Sequence, residues 1–127
     1  MRKFFVAVVF LAVVSIACSS ANVIDTGNAS SSSCSPGASC ACNQTGSCDR
    51  TCDGKGCAVQ CQGNGSCNVT CDQGGCTVTS TGNGSANVNC AGGNCTIQCN
   101  GAGSCNITNC AGGGCTCKKN GAGSCNG

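Results

Sequence analysis

The amino-acid sequence predicts an all-β fold, a small disulfide-stapled β-solenoid with about 19 residues and two short strands per coil. Three observations predict it: self-similarity at a fixed period, two-residue alternation inside each repeated unit, and cysteines that bracket nearly every unit. An antiparallel β-meander is the alternative that the same pattern allows.

The repeat is clear from Cys48 onward, with a period near 19. Each period holds two short units joined by glycine-rich loops. The units are CDRTC (48–52), CAVQC (57–61), CNVTC (67–71), CTVTS (76–80), ANVNC (86–90), CTIQC (95–99), CNITNC (105–110) and CTCKK (115–119). The longer loops read QGNGS, TGNGS and NGAGS; the shorter ones read DGKG, DQGG, AGGN and AGGG. Self-similarity of this kind marks a stacked architecture. Within a unit Cys, Val or Ile, and Cys share one face while small polar residues take the other, which is the pattern of a half-buried strand. The loops supply the glycines that tight turns with positive φ require. Asn109 is one residue more than the repeat needs, so a β-bulge is expected there.

The composition says what must hold such a fold together. Of 127 residues, 19 are Cys and 21 are Gly, and there is no His, Trp, Tyr or Glu. Past residue 17 the large apolar side chains are only Val23, Ile24, Val59, Val69, Val78, Val88, Ile97 and Ile107. Burying a Val or Ile contributes about 1.5–3 kcal/mol, whereas ordering each residue costs about 1–2 kcal/mol of backbone entropy. So few side chains cannot order the chain, and the cysteines must act covalently.

Setting Cys18 aside leaves an even number of cysteines, and pairing each with its sequence neighbour uses them all: Cys34–Cys40, Cys42–Cys48, Cys52–Cys57, Cys61–Cys67, Cys71–Cys76, Cys90–Cys95, Cys99–Cys105, Cys110–Cys115 and Cys117–Cys125. The repeat asks for a further pair at positions 80 and 86, where Ser80 and Ala86 stand. Both partners are missing together, as expected if they would otherwise bond. In a solenoid with one strand per turn, Cys61 and Cys67 would fall at opposite strand ends, roughly 13 Å apart, beyond the reach of a disulfide. Two strands per coil bring neighbouring cysteines together at each edge, with Val59, Val69, Val78, Val88, Ile97 and Ile107 filling a thin middle. One outer face then stacks Asn68, Asn87 and Asn106 beside Thr70, Asn89 and Thr108; the other stacks Thr77, Thr96 and Thr116 beside Thr79, Gln98 and Lys118.

The N-terminus reads as an export signal. Arg2 and Lys3 precede an apolar run from Phe4 to Ala17, too short for a comfortable membrane span and suited to a signal peptide over residues 1–17. Ser15-Ile16-Ala17-Cys18 resembles a bacterial lipobox, which implies cleavage before Cys18 and a lipid on its thiol. Ser19 rather than Asp follows, so the resemblance implies the outer membrane in a Gram-negative cell. Ordinary cleavage near Ser19 or Ala21, releasing a secreted protein, is the alternative. Residues 18–33 read as a lipid-anchored, Ser-rich tether, and 34–127 as the Cys/Gly-rich repeat domain.

Residues 48–125 resemble in style the tight disulfide solenoids of insect antifreeze proteins, without their Thr-Cys-Thr or Tyr ladders. Three functions follow from these features. The leading one is a structural or surface-interaction protein of the cell envelope, bound to the membrane through its N-terminal lipid and to an envelope or extracellular ligand the sequence does not name. An ice- or flat-surface-binding solenoid is a second. Extracellular metal binding is a third, suggested by the C-x-C pairs Cys40-Ala-Cys42 and Cys115-Thr-Cys117. Metallothioneins resemble this chain in cysteine content alone, and export favours oxidised thiols, so neither a resident metal nor a cofactor is expected.

Catalysis is not expected either: the commonest general base, His, is absent, and the four Asp form no pair. Past the leader, Arg50, Lys55, Lys118 and Lys119 balance Asp25, Asp49, Asp53 and Asp72, leaving no basic stripe for nucleic acid. Asn-x-Ser/Thr occurs at Asn28, Asn43, Asn64, Asn68, Asn83, Asn94 and Asn106, acceptors for glycans in a eukaryotic secretory path.

The native protein should weigh 18 hydrogens less than its fully reduced form, two for each of the nine pairs above. It should titrate no free thiol and lose its β circular dichroism on reduction. Stoichiometric zinc or copper, with thiols appearing once it is stripped, would be the opposite result.

Overall fold

In a computed structural model, residues 32–127 are described and contain eleven strands. They are β1 (Ser32–Cys34), β2 (Ser39–Cys42), β3 (Cys48–Cys52), β4 (Ala58–Cys61), β5 (Cys67–Thr70), β6 (Thr77–Ser80), β7 (Ala86–Asn89), β8 (Thr96–Cys99), β9 (Cys105–Asn109), β10 (Thr116–Lys119) and β11 (Cys125–Asn126). The odd strands form one six-stranded sheet and the even strands one five-stranded sheet, each in simple sequence order. Every pairing is parallel. The chain therefore coils through one strand of each sheet per turn, and the antiparallel meander is excluded. β1 begins at Ser32, inside the stretch read as tether. The signal peptide, Cys18, the rest of the tether and the Asn28 acceptor lie outside the described residues.

The period-two alternation becomes an inside and an outside. In β3 the pattern is buried, exposed, buried, exposed, buried over Cys48–Cys52, and β4 to β8 follow the same rule. Val59, Val69, Val78, Val88 and Ile97 are at most 1% exposed. Because the strands are parallel and in register, like stacks on like: Val59 on Val78 on Ile97 in the even sheet, Val69 on Val88 on Ile107 in the odd sheet. The interior is thus two apolar side chains wide, one from each sheet.

In the odd sheet the coil is 18 residues from β1 to β3, 19 through the middle turns and 20 in the last. Cys48, Cys67, Ala86 and Cys105 stack 19 residues apart, and Cys105 then pairs with Cys125 after 20. The extra residue is absorbed in β9, where Val88 faces Ile107 and Asn89 faces Asn109. The bulge expected at this point is present, but Thr108 is the residue squeezed out. Thr108 therefore does not join the outer row assigned to it from the sequence; Asn109 does. The Thr108 hydroxyl donates to the Val88 carbonyl at 3.2 Å, which holds the displaced residue against the ladder.

The loops stack as tightly as the strands. A Cβ on Gly84 would collide with the carbonyl of Gly65, and one on Gly103 with that of Gly84. At the shorter loops a second column, Gly37, Gly56, Gly75, Asn94 and Gly114, holds φ between +56° and +79°. Asn94 is the single non-glycine there, and Asn tolerates this region better than other side chains do.

Gly84→Ala should lower the denaturation midpoint and unfold more readily than Gly46→Ala, since a Cβ at Gly46 meets nothing within 4 Å. Thermal melts of the two variants compare them directly. Asn94→Val should cost roughly 1–2 kcal/mol relative to Asn94→Gly.

Candidate functional site

Two features could carry function: the sulfur-lined edges and the flat outer faces. The described residues contain nine disulfides, each joining sequence neighbours. At the shorter loops Cys52–Cys57, Cys71–Cys76, Cys90–Cys95 and Cys110–Cys115 close spans of five residues, with Cα atoms 6.0–6.3 Å apart. At the longer loops Cys42–Cys48, Cys61–Cys67 and Cys99–Cys105 close spans of six, with Cα atoms 5.8–6.2 Å apart. These separations fall within the range a disulfide needs. Each bridge lies inside one coil, so the edges are two stacks of covalent clips.

The end coils are clipped differently, and this explains the C-x-C pairs. Two residues i and i+2 of a strand point the same way, so both cysteines of each pair face inward. Cys42 sits at the edge and bonds Cys48, while Cys40 occupies the interior position in register with Val59 and bonds Cys34. At the other end Cys115 bonds Cys110, while Cys117 lies in register with Ile97 and bonds Cys125. Each pair is therefore split between two bridges, one closing an edge and one sealing an end of the core.

Sulfurs of successive coils touch. Cys52 Sγ lies 3.4 Å from Cys76 Sγ and 3.7 Å from Cys71 Sγ, and Cys99 Sγ lies 3.5 Å from Cys125 Sγ. Three groups, Cys52/Cys57/Cys76, Cys71/Cys76/Cys95 and Cys99/Cys117/Cys125, have ligand atoms within 4.8 Å of one another. All these sulfurs are in disulfides, so a soft cation could be held there only by thiolates made by reducing them.

The longer-loop stack has one break. Ser80 is in register with Cys61 and Cys99, and Ala86 with Cys67 and Cys105. Ser80 is 1% and Ala86 0% exposed, so both lie inside the stack where a bridge would be.

The outer face of the odd sheet carries a continuous side-chain ladder. Asn126 Nδ2 donates to Asn106 Oδ1 at 2.9 Å, Asn106 to Asn87 at 3.0 Å, Asn87 to Asn68 at 3.0 Å, and Asn68 to Asp49 Oδ1 at 2.8 Å. Asp49, which has no amide hydrogen, ends it. Parallel stacking at about 4.8 Å per strand suits this amide chain. Thr70, Asn89 and Asn109 run beside it. On the even sheet Thr77, Thr96 and Thr116 stack beside Thr79, Gln98 and Lys118, as the sequence places them. The ladder also sorts the glycan acceptors: Asn68 and Asn106 use their amides within it, whereas Asn64 and Asn83 stand on exposed loop positions and bond to each other at 3.2 Å.

Sequence reasoning passed over Arg50. It occupies the Val column of β3 and is 4% exposed, although a charged residue reads as surface. Its place in the alternating pattern was the signal that could have found it.

Among the described residues no helix is long and apolar enough to cross a membrane. Fold and edges together define the chain as a disulfide-stapled parallel β-solenoid, and such dense intracoil bridging belongs to proteins made for oxidising, exported surroundings. Comparison with protein families, with characterised proteins and with solved structures finds nothing that matches this chain.

The double variant Ser80→Cys with Ala86→Cys should form a tenth bridge and stabilise the fold by at most about 2 kcal/mol. Peptide mapping after non-reducing digestion should find 80–86 linked and the flanking pairs unchanged. Two free thiols, or general reshuffling, would contradict the geometry of this edge.

Proposed function

We propose that this protein is a structural or surface-interaction module of the cell envelope, exported, anchored by a lipid on Cys18, and without catalytic activity. The observation that carries the reading is the asparagine ladder. Its amides are ordered by one another before any ligand arrives, so the face presents a fixed row of hydrogen-bonding groups at strand spacing rather than a pocket. A surface of that kind suits an extended or repetitive partner. The covalent edges hold that face flat outside the cell, where no chaperone would rescue an opened coil.

The same ladder supports ice or another ordered solid as a second reading of the partner. The lipobox-like run before Cys18 supports the anchor, and the Ser-rich stretch after it supports a tether that holds the solenoid clear of the membrane. In a Gram-negative cell Ser19 favours the outer membrane.

Fractionation tests the anchor. The mature protein should partition into detergent, and its N-terminal peptide should carry a diacylglyceryl cysteine at position 18. A mature chain that begins beyond Cys18 and is recovered from the medium would replace the anchored form with a secreted one. Pull-down with purified envelope polymer, compared between native protein and an Asn87→Leu variant, tests the face. Binding should fall in the variant while its melting profile shows an intact solenoid.

A further inference from the structure

The first coil breaks the rule that the others follow. In the middle coils the two interior mid-strand positions hold Val59 with Val69, Val78 with Val88, and Ile97 with Ile107. In the first coil they hold Cys40, in register with Val59, and Arg50, in register with Val69. The Arg50 guanidinium donates one hydrogen bond, to the carbonyl of Ala41 beside Cys40, at 2.9 Å. Its Nε is buried without an acceptor. Among the described residues it has no carboxylate partner. Asp49 is on the outer face of the same strand and receives the Asn68 amide, while Asp53 and Lys55 stand exposed on the short loop. β1, β2 and β4 carry no charged residue.

A buried guanidinium without a counter-charge, holding an idle donor, is costly. The interior mid-strand position that faces Arg50 in this coil is Cys40, whose neighbour Ala41 accepts the guanidinium's hydrogen bond. Cys40 is half-buried, whereas its partner Cys34 is 1% exposed, so an incoming thiol reaches Cys40 first.

We propose that Cys34–Cys40 is a thiol–disulfide exchange site for an exported dithiol, poised by Arg50. One thiolate of the dithiol attacks Cys40 Sγ. A dithiol–Cys40 bond forms, the Cys34–Cys40 bond breaks, and Cys34 leaves with the electron pair and takes up a proton. The second thiol of the dithiol, losing its proton to solvent, then attacks its own sulfur in the mixed disulfide. The dithiol closes into a disulfide and Cys40 is released as a thiolate. The dithiol has lost two electrons and two protons; the bridge has gained the two electrons, with one proton on Cys34 and the other in solvent. The Cys40 thiolate remains opposite the guanidinium, which offers it a permanent positive charge. A more acidic thiol also leaves faster in the second step.

The opposite end of the solenoid is a built-in comparison. Cys117–Cys125 seals that coil in the same way, but the position facing Cys117 is Gly127, which lies over Ile107, and the two nearby cations, Lys118 and Lys119, are exposed. Exposed charges contribute little.

Substoichiometric dithiothreitol on the native protein, quenched by alkylation in acid and mapped by peptide, tests the site. The first thiols should be Cys34 and Cys40, ahead of Cys117 and Cys125, and Arg50→Leu should abolish that precedence. First thiols at any other bridge, or precedence that survives Arg50→Leu, would overturn the proposal. A second measurement uses Cys34→Ser, which frees Cys40. The pH midpoint of its alkylation should lie below that of an ordinary thiol, about 8.5, and rise when Arg50→Leu is added. Cys125→Ser, which frees Cys117, should show no such depression. A Cys40 midpoint unmoved by Arg50→Leu would equally overturn it.

Discussion

Everything in this molecule depends on the closure of half-turns by disulfides between sequence neighbours, at every half-turn of the middle coils but the one at Ser80 and Ala86. The interior is two side chains wide, so no coil buries enough apolar surface to fix its own path. A bridge that spans five or six residues fixes it locally, because the two ends of a short loop have little conformational freedom left once joined. No bridge crosses from one coil to the next. Cohesion along the axis is therefore non-covalent, carried by the parallel backbone ladders, the stacked Val and Ile, and the amide ladder on the odd sheet. The two kinds of interaction act on different axes: the sulfurs shape the coil, and the backbone stacks it.

That division explains how much could be read from the sequence. Period-two alternation and the joint absence of cysteine at Ser80 and Ala86 point to strands of two residues' periodicity closed across both loops. Each signal is local, and the sulfur geometry is local too. Bridges between neighbours excluded one strand per turn but allowed both the two-strand coil and the meander; the parallel register of both sheets decides between them. What could not be read lay where local chemistry is ambiguous. Thr108 and Asn109 are both polar and both acceptable in an outer row, so nothing in their identity says which is extruded. The hydroxyl of Thr108 decides it by reaching the Val88 carbonyl, a partner 20 residues away. Arg50 was hidden for a different reason. Its position in the alternating pattern points inward and its charge points outward; the position prevails because its long aliphatic stem can occupy the Val column while its head reaches a backbone carbonyl.

The face chemistry follows from the stacking rather than adding to it. In an in-register parallel sheet every residue meets its counterpart from the next coil, so a polar column must satisfy itself. The column from Asn126 to Asn68 does so, since each amide offers a donor and an acceptor in line with the strand spacing. Thr and Gln columns on the even sheet show no comparable ladder, and a side-chain bond beside them, from Gln62 to Gln60 at 2.8 Å, stays within one coil. The two faces are therefore unequal. The odd sheet presents an ordered amide row; the even sheet presents more independent hydroxyl and amide groups. Asn68-Val69-Thr70 is a by-product of this arrangement: Asn in one outer row and Thr in the next spell the motif whether or not anything modifies it.

The ends set the limits of the design. A stack of identical coils would leave its terminal Val exposed, and solenoids need a distinct last layer. Here both terminal layers replace an interior Val or Ile position by a cysteine that bonds to the coil edge, Cys40 at one end and Cys117 at the other. This closes the core covalently at both ends. It also places a disulfide, a group open to exchange, at the two most accessible layers of the core. Only one of these layers faces a buried cation. Where a Val would have packed without consequence, Arg50 adds an unsatisfied donor in the layer that Cys40 seals. A purely structural cap would gain nothing from that charge, since an apolar residue of similar volume fills the column at lower desolvation cost. The asymmetry between the two ends is therefore the feature of this solenoid that packing alone does not account for.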